Sequence, residues 1–192
     1  MAISLYDLSV PTFLQTVRAV AGCLQRAEEH CAETGADPDD LVHARLAADM
    51  APFHFQIECV SNHSVWGLQA VKTGVFTSPA LVGAIPFAGL RARVDEAVTA
   101  LEALTPAEVN GWGGRTLDIA LHQQVDEDDR SSAWAPRQFT FTPETFLLSY
   151  SLPNFYFHAV TAYDILRSRG VPLGKRDYQG RLRDEPPSAR PE

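Results

Sequence analysis

Apolar side chains recur at three- and four-residue steps from Val10 to Cys31, through Phe13, Leu14, Val17, Val20, Ala21, Leu24 and Ala27, which is the spacing of one buried helical face. Gly35 marks the end of this first helix. Asp37-Pro38-Asp39-Asp40 reads as the start of a second, because Asp37 can accept from orphan N–H groups, Pro38 fits the first helical position and Asp40 complements the dipole. That second helix is expected to run to about Lys72 with the stripe Leu46, Met50, Phe53, Ile57, Val60 and Ser64. Pro52 interrupts it and predicts a bend or restart near Met50, since an interior proline removes a hydrogen bond. Thr73 to Pro86 carries few charges and no period, so it reads as a connection. Helix three follows with Leu90, Val94, Ala97, Val98, Leu101 and Leu104 on one face, and Thr105-Pro106 caps a further turn reaching Val109.

Beyond Asn110-Gly111-Trp112-Gly113-Gly114 the period changes to two. Leu117, Ile119 and Leu121 alternate with Thr116, Asp118 and Ala120, and Phe139 and Phe141 alternate with Gln138, Thr140 and Thr142, predicting an antiparallel pair of strands. The loop between them holds Asp126-Glu127-Asp128-Asp129. Clustered carboxylates are hard-cation ligands, but this run lacks the spaced order and distant glutamate of an EF-hand loop, so it reads as a solvated hairpin tip. Thr142-Pro143-Glu144 opens helix four, which extends to Arg169 before Gly170. Pro153 biases Leu152 away from helical angles, so a restart is expected there. Phe155, Tyr156, Phe157, Ala159, Val160, Ala162, Ile165 and Leu166 are apolar on nearly every side, predicting burial all round. The expected fold is all-α, a four-helix bundle with a small β-hairpin between helices three and four, in one domain over 1–180. The proline-rich stretch 181–192 reads as a disordered tail.

Composition narrows the partners. A chain of 192 residues with 45 % hydrophobic content can bury a core without disulfide or metal staples. Sixteen basic against twenty-four acidic side chains give a net charge of −8, which repels phosphate backbones and anionic lipid, so neither nucleic acid nor membrane is an expected partner. No apolar run approaches the ~20 residues of a membrane span, and Met1 to Asp7 lacks the basic start of a signal peptide, so a cytoplasmic location is expected. Cys23, Cys31 and Cys59 match no metal spacing and read as reduced, buried thiols.

Chemistry rests on few residues. His158 lies in the apolar segment from Phe155 to Ile165, where an imidazole needs a partner. Asn154 stands one turn earlier on the same face. Opposite them, Asp49, Gln56 and His63 recur at seven-residue intervals on helix two. Gln56, among Phe53, Ile57 and Val60, is the one expected to be buried, while His63 near the helix end reads as solvated. Two readings of His158 stand side by side: a hydrogen-bonded core histidine, or one member of a ligand pocket with Gln56 and Asn154. His54 and Glu58 form an i, i+4 pair that suits either zinc or a plain ion pair or hydrogen bond. His30, His43 and His122 read as surface residues. No nucleophile elbow, phosphate loop or H-E-x-x-H motif is present.

The segments Ser4-Leu5-Tyr6-Asp7, Val10-Pro11-Thr12-Phe13-Leu14, Asp49-Met50-Ala51-Pro52-Phe53 with Gln56, Leu152-Pro153-Asn154-Phe155-Tyr156-Phe157-His158 and Leu173-Gly174-Lys175-Arg176-Asp177-Tyr178-Gln179-Gly180 together resemble a domain-of-unknown-function family. That family is similar to the DinB/YfiT-like superfamily of four-helix-bundle metalloenzymes. The resemblance spans about Met1 to Gly180. It implies a divalent metal held by three histidines, one on helix two and two in an H-x-x-x-H spacing later, which would fall on Gln56, Asn154 and His158. Only His158 keeps the imidazole; an amide is a poor substitute on zinc or nickel, so the ligand set is incomplete. The expected function is therefore a DinB-like protein with a small-molecule or weak metal pocket between helices two and four. The alternative is a non-catalytic bundle that dimerises. The apolar excess on helix four and the bundle architecture point to a homodimer.

Overall fold

The computed structural model describes residues 3–76, 80–123 and 135–184. The chain is mostly helical. Helix α1 covers Leu5–Thr34 and starts earlier than the hydrophobic stripe alone indicates, because Ser4 caps it: the Asp7 N–H donates to Ser4 Oγ at 3.1 Å. Pro11 lies inside α1 and supplies no N–H for the Asp7 carbonyl. That carbonyl instead accepts from the Thr12 hydroxyl at 3.4 Å and from the Arg183 guanidinium at 3.3 Å. Gly35, at φ +72°, closes the helix in the left-handed region that favours glycine.

The second helix differs from expectation at its start. Pro38–Leu41 forms only a 3-10 turn, and α2 is Phe53–Thr73, with Pro52 as its extended N-cap. Pro52 cannot donate into a preceding helical turn, and Ala51 before it is disfavoured in helical angles, so the helix restarts instead of bending. Leu46, placed by sequence in the stripe, is exposed at 41 %. The intervening segment is tied back by the Phe53 N–H donating to the Ala44 carbonyl and the His54 N–H to that of Val42.

Helix α3 (Phe87–Glu102) and the short α4 (Pro106–Asn110) lead to the strands β1 (Leu117–Gln123) and β2 (Ala135–Phe141). These pair antiparallel with Leu117 opposite Phe141 and Ile119 opposite Phe139; Leu117, Ile119 and Leu121 are buried. The acidic run Asp126–Asp129 lies outside the described residues.

From Pro143 the chain is continuously helical through α5 (Pro143–Phe146), a π turn (Leu147–Ser151) and α6 (Leu152–Ser168). Thr142 and Thr145 form the N-terminal capping box. Leu152 is itself helical, and its N–H reaches back to the Leu147 carbonyl, so the wider turn absorbs Pro153 where a break was expected. Nor is α6 buried all round: Phe155, Ala159 and Ile165 are buried, but Phe157 is 59 % exposed and Tyr156 and Val160 are also exposed. Lys175–Gln179 forms a last helix, α7, held to α1 by Gln15 donating to the Gln179 carbonyl. Of the tail, residues 181–184 are described and Arg183 lies against α1.

One contiguous core joins α1, α2, α3, the hairpin and α6. Phe13 meets Phe155 edge to face at 5.0 Å and Phe53 stacks on Phe87 at 6.1 Å. The three cysteines are free and buried. Among the described residues no helix is long and apolar enough to cross a membrane.

Candidate functional site at the seam of α2 and α6

Helices α2 and α6 run antiparallel in close contact, and one close approach is built on small residues. A Cβ at Gly67 would collide with Ser151. Ser151, fully buried, donates its hydroxyl to the His63 carbonyl at 2.9 Å, across the point where the π turn leads into α6. This contact fixes the register that sets the polar residues of one helix against the other.

Gln56 is 2 % exposed. Its amide nitrogen donates to the Ala51 carbonyl at 3.0 Å and its Oε1 lies 2.8 Å from His158 Nδ1. Gln56 and His158 are thus brought together across the seam. Asn154 is not part of that contact: its amide donates to the Tyr150 carbonyl in its own helical segment at 2.7 Å. His158 is half-buried, with Phe55 and Phe157 edge-on to it at 5.8 and 5.3 Å.

His63 belongs to this group, although its position near the helix end suggested solvent. Its ring stacks on His158 at 5.6 Å with only 11° between the planes, and meets Tyr150 at 5.9 Å. The signal for it was the seven-residue step from Gln56, two helical turns along the same face. Phe76 packs edge-on against Tyr150 at 5.6 Å and closes one end of the seam.

Burial pushes both imidazoles down, His158 to about 4 and His63 to about 4 with the His158 charge adding to the effect. Among the described residues no carboxylate contributes to either shift. Glu58, fully buried, lies on the far side of α2, where it accepts from the Val82 and Gly83 N–H groups at 2.7 and 3.1 Å and lies 3.4 Å from His54. It anchors the connecting segment. The pair of neutral rings is therefore a hydrogen-bonding and stacking surface at neutral pH.

The three-imidazole metal set implied by the resemblance does not fit these residues. Gln56 Oε1 is engaged by His158, while Asn154 hydrogen-bonds the Tyr150 carbonyl of its own helical segment, outside that contact. That leaves two imidazoles, His158 and His63, side by side at 5.6 Å, one short of the three the resemblance implies. Among the described residues no three His, Cys, Asp or Glu side chains are grouped to hold a metal.

The model of the family described as "Domain of unknown function (DUF1993)" matches residues 5–179. The chain belongs to the DUF1993 family. This DUF1993 chain is similar in structure to a DinB family member protein from Shewanella denitrificans, solved by crystallography, with a TM-score of 0.73 and 28 % identity over 95 % of this chain and 96 % of that one. No curated protein matches. The family resemblance read from the L-P-N-F-Y-F-H block is thereby shown, as is the mostly helical, DinB-like fold with a two-stranded hairpin.

Proposed function

We propose that the seam between α2 and α6 is a small-molecule site in a DinB-like four-helix bundle, built on Gln56, His158 and His63 and not on a metal. The observation that carries this is the contact of His158 Nδ1 with Gln56 Oε1 at 2.8 Å: a buried amide stands near where the family resemblance would put an imidazole, and leaves the second nitrogen of His158 for a ligand. Phe55, Phe157 and Tyr150 supply apolar walls around a few polar atoms, the usual make-up of such sites. Asn154 stays at the rim as a secondary contact. Both histidines are weak bases here, so recognition is better supported than proton abstraction.

The test is thermal unfolding with a panel of uncharged and anionic aromatic fragments. Uncharged fragments are expected to raise Tm in the native chain and not in His158→Ala. Absence of any shift, or shifts retained in His158→Ala, contradicts the site.

A second reading, a homodimer through α6, is favoured by the exposed Tyr156, Phe157 and Val160. Light scattering at micromolar concentration should then give twice the monomer mass, and the monomer mass rejects it.

A further inference from the structure

Gln56 does more than fill space. Because its amide nitrogen donates to the Ala51 carbonyl at 3.0 Å, the atom facing His158 must be Oε1. An amide oxygen only accepts, so His158 Nδ1 carries the proton of the neutral ring. Nε2 is then the lone-pair nitrogen; among the described residues no donor pairs with it, and it is not one of the buried unpartnered side-chain atoms, so it is open to solvent and to a ligand. Phe55, Phe157 and His63 surround the ring.

We infer that Gln56 is a positioning residue that locks His158 in its Nδ1–H tautomer, so that the seam selects an uncharged, planar ligand donating an N–H or O–H to Nε2. This rests on the small-molecule reading above and adds the chemical class of the ligand. Charge supports it. Gln56, Phe55, His63, Tyr150, Phe157 and His158 carry no formal charge at neutral pH, and the nearest carboxylate on α2, Glu58, is spent on the Val82 and Gly83 N–H groups. An anion or cation entering here would lose hydration without gaining a counter-charge. A planar donor would lose less, since it can lie against the exposed faces of these rings and give a hydrogen bond to His158 Nε2.

The experiment uses the full chain labelled with 15N-histidine, read by long-range proton–nitrogen correlation, with phenol and its methyl ether anisole as probes. In the native chain His158 is expected to show a protonated Nδ1 and a lone-pair Nε2. Gln56→Met keeps the side-chain length but has no oxygen, and should shift His158 toward the Nε2–H tautomer while the chain stays folded. Phenol should move the Nε2 resonance saturably and bind about tenfold more tightly than anisole, the worth of one hydrogen bond. That preference should vanish in Gln56→Met. An Nε2–H tautomer in the native chain, or no change in Gln56→Met, overturns the positioning role. Equal affinity for phenol and anisole overturns the ligand class. If the tautomer is as stated and neither probe moves a seam resonance, the ligand class falls together with the small-molecule reading while the role of Gln56 stands.

Discussion

Acid should unfold this chain partly through the two seam histidines. Both rings sit at about 4 in the folded chain, lowered from 6.5. The unfolded chain therefore binds protons that the folded chain refuses, and stability falls as pH drops from about 6.5 toward 4, then levels with respect to these groups. Above 6.5 they contribute no slope. One pKa unit corresponds to about 1.4 kcal/mol. Because the two shifts overlap through the His158 charge and the rings are half-buried, the pair together should account for about 2–4 kcal/mol. Carboxylates titrate in the same window, so the readout is a difference: urea unfolding at pH 7.5 and 4.5 for the native chain and for His63→Asn/His158→Asn. The native chain should lose about 2–4 kcal/mol more than the double variant over this interval. An equal loss in the two would refute the reasoning, because it would mean that the rings accept protons as readily folded as unfolded.

Other substitutions test the packing around the seam. Gln56→Ala removes two hydrogen bonds and a nearly fully buried side chain, and should cost about 2–3 kcal/mol by denaturant unfolding. Gly67→Ala places a methyl against Ser151 and should cost about 1–3 kcal/mol; combining it with Ser151→Gly should recover part of that loss in a double-mutant cycle, whereas strict additivity would deny the contact. Glu58→Gln replaces an acceptor-only carboxylate that takes the Val82 and Gly83 N–H groups. It should cost about 1–3 kcal/mol and speed amide exchange at Val82 and Gly83 first, with unchanged exchange arguing against the anchor.

The long helical faces were legible because their periods are strong. Phe13, Val17, Val20 and Leu24 on α1, and Leu90, Val94 and Leu101 on α3, are all buried as the spacing implies. The alternation about Ile119 and Phe139 revealed the antiparallel strand pair, whose register the structure supplies. Prolines were the difficulty. One residue type ended a helix at Pro52, was absorbed by a π turn at Pro153 and was tolerated inside α1 at Pro11, and the outcome depends on which neighbours can take the freed carbonyl, a tertiary matter. The exposure of Phe157 was likewise invisible, since composition shows an apolar side chain but not that, among the described residues, none covers that side of α6. The contact of Gln56 with His158 was readable from the heptad step and the apolar context. The same step put His63 on that face, but its stacking on His158 depends on how far α2 is rotated against α6 and was not readable.

The most direct test of the seam as an amide–imidazole site is its metal content. The chain should be purified without chelator, incubated with equimolar zinc or nickel, desalted and analysed by plasma mass spectrometry. Well under one equivalent is expected, with the same value for His158→Ala. One equivalent retained by the native chain and lost in His158→Ala would contradict the account, since Gln56 and the stacked rings would then have rearranged to hold the ion.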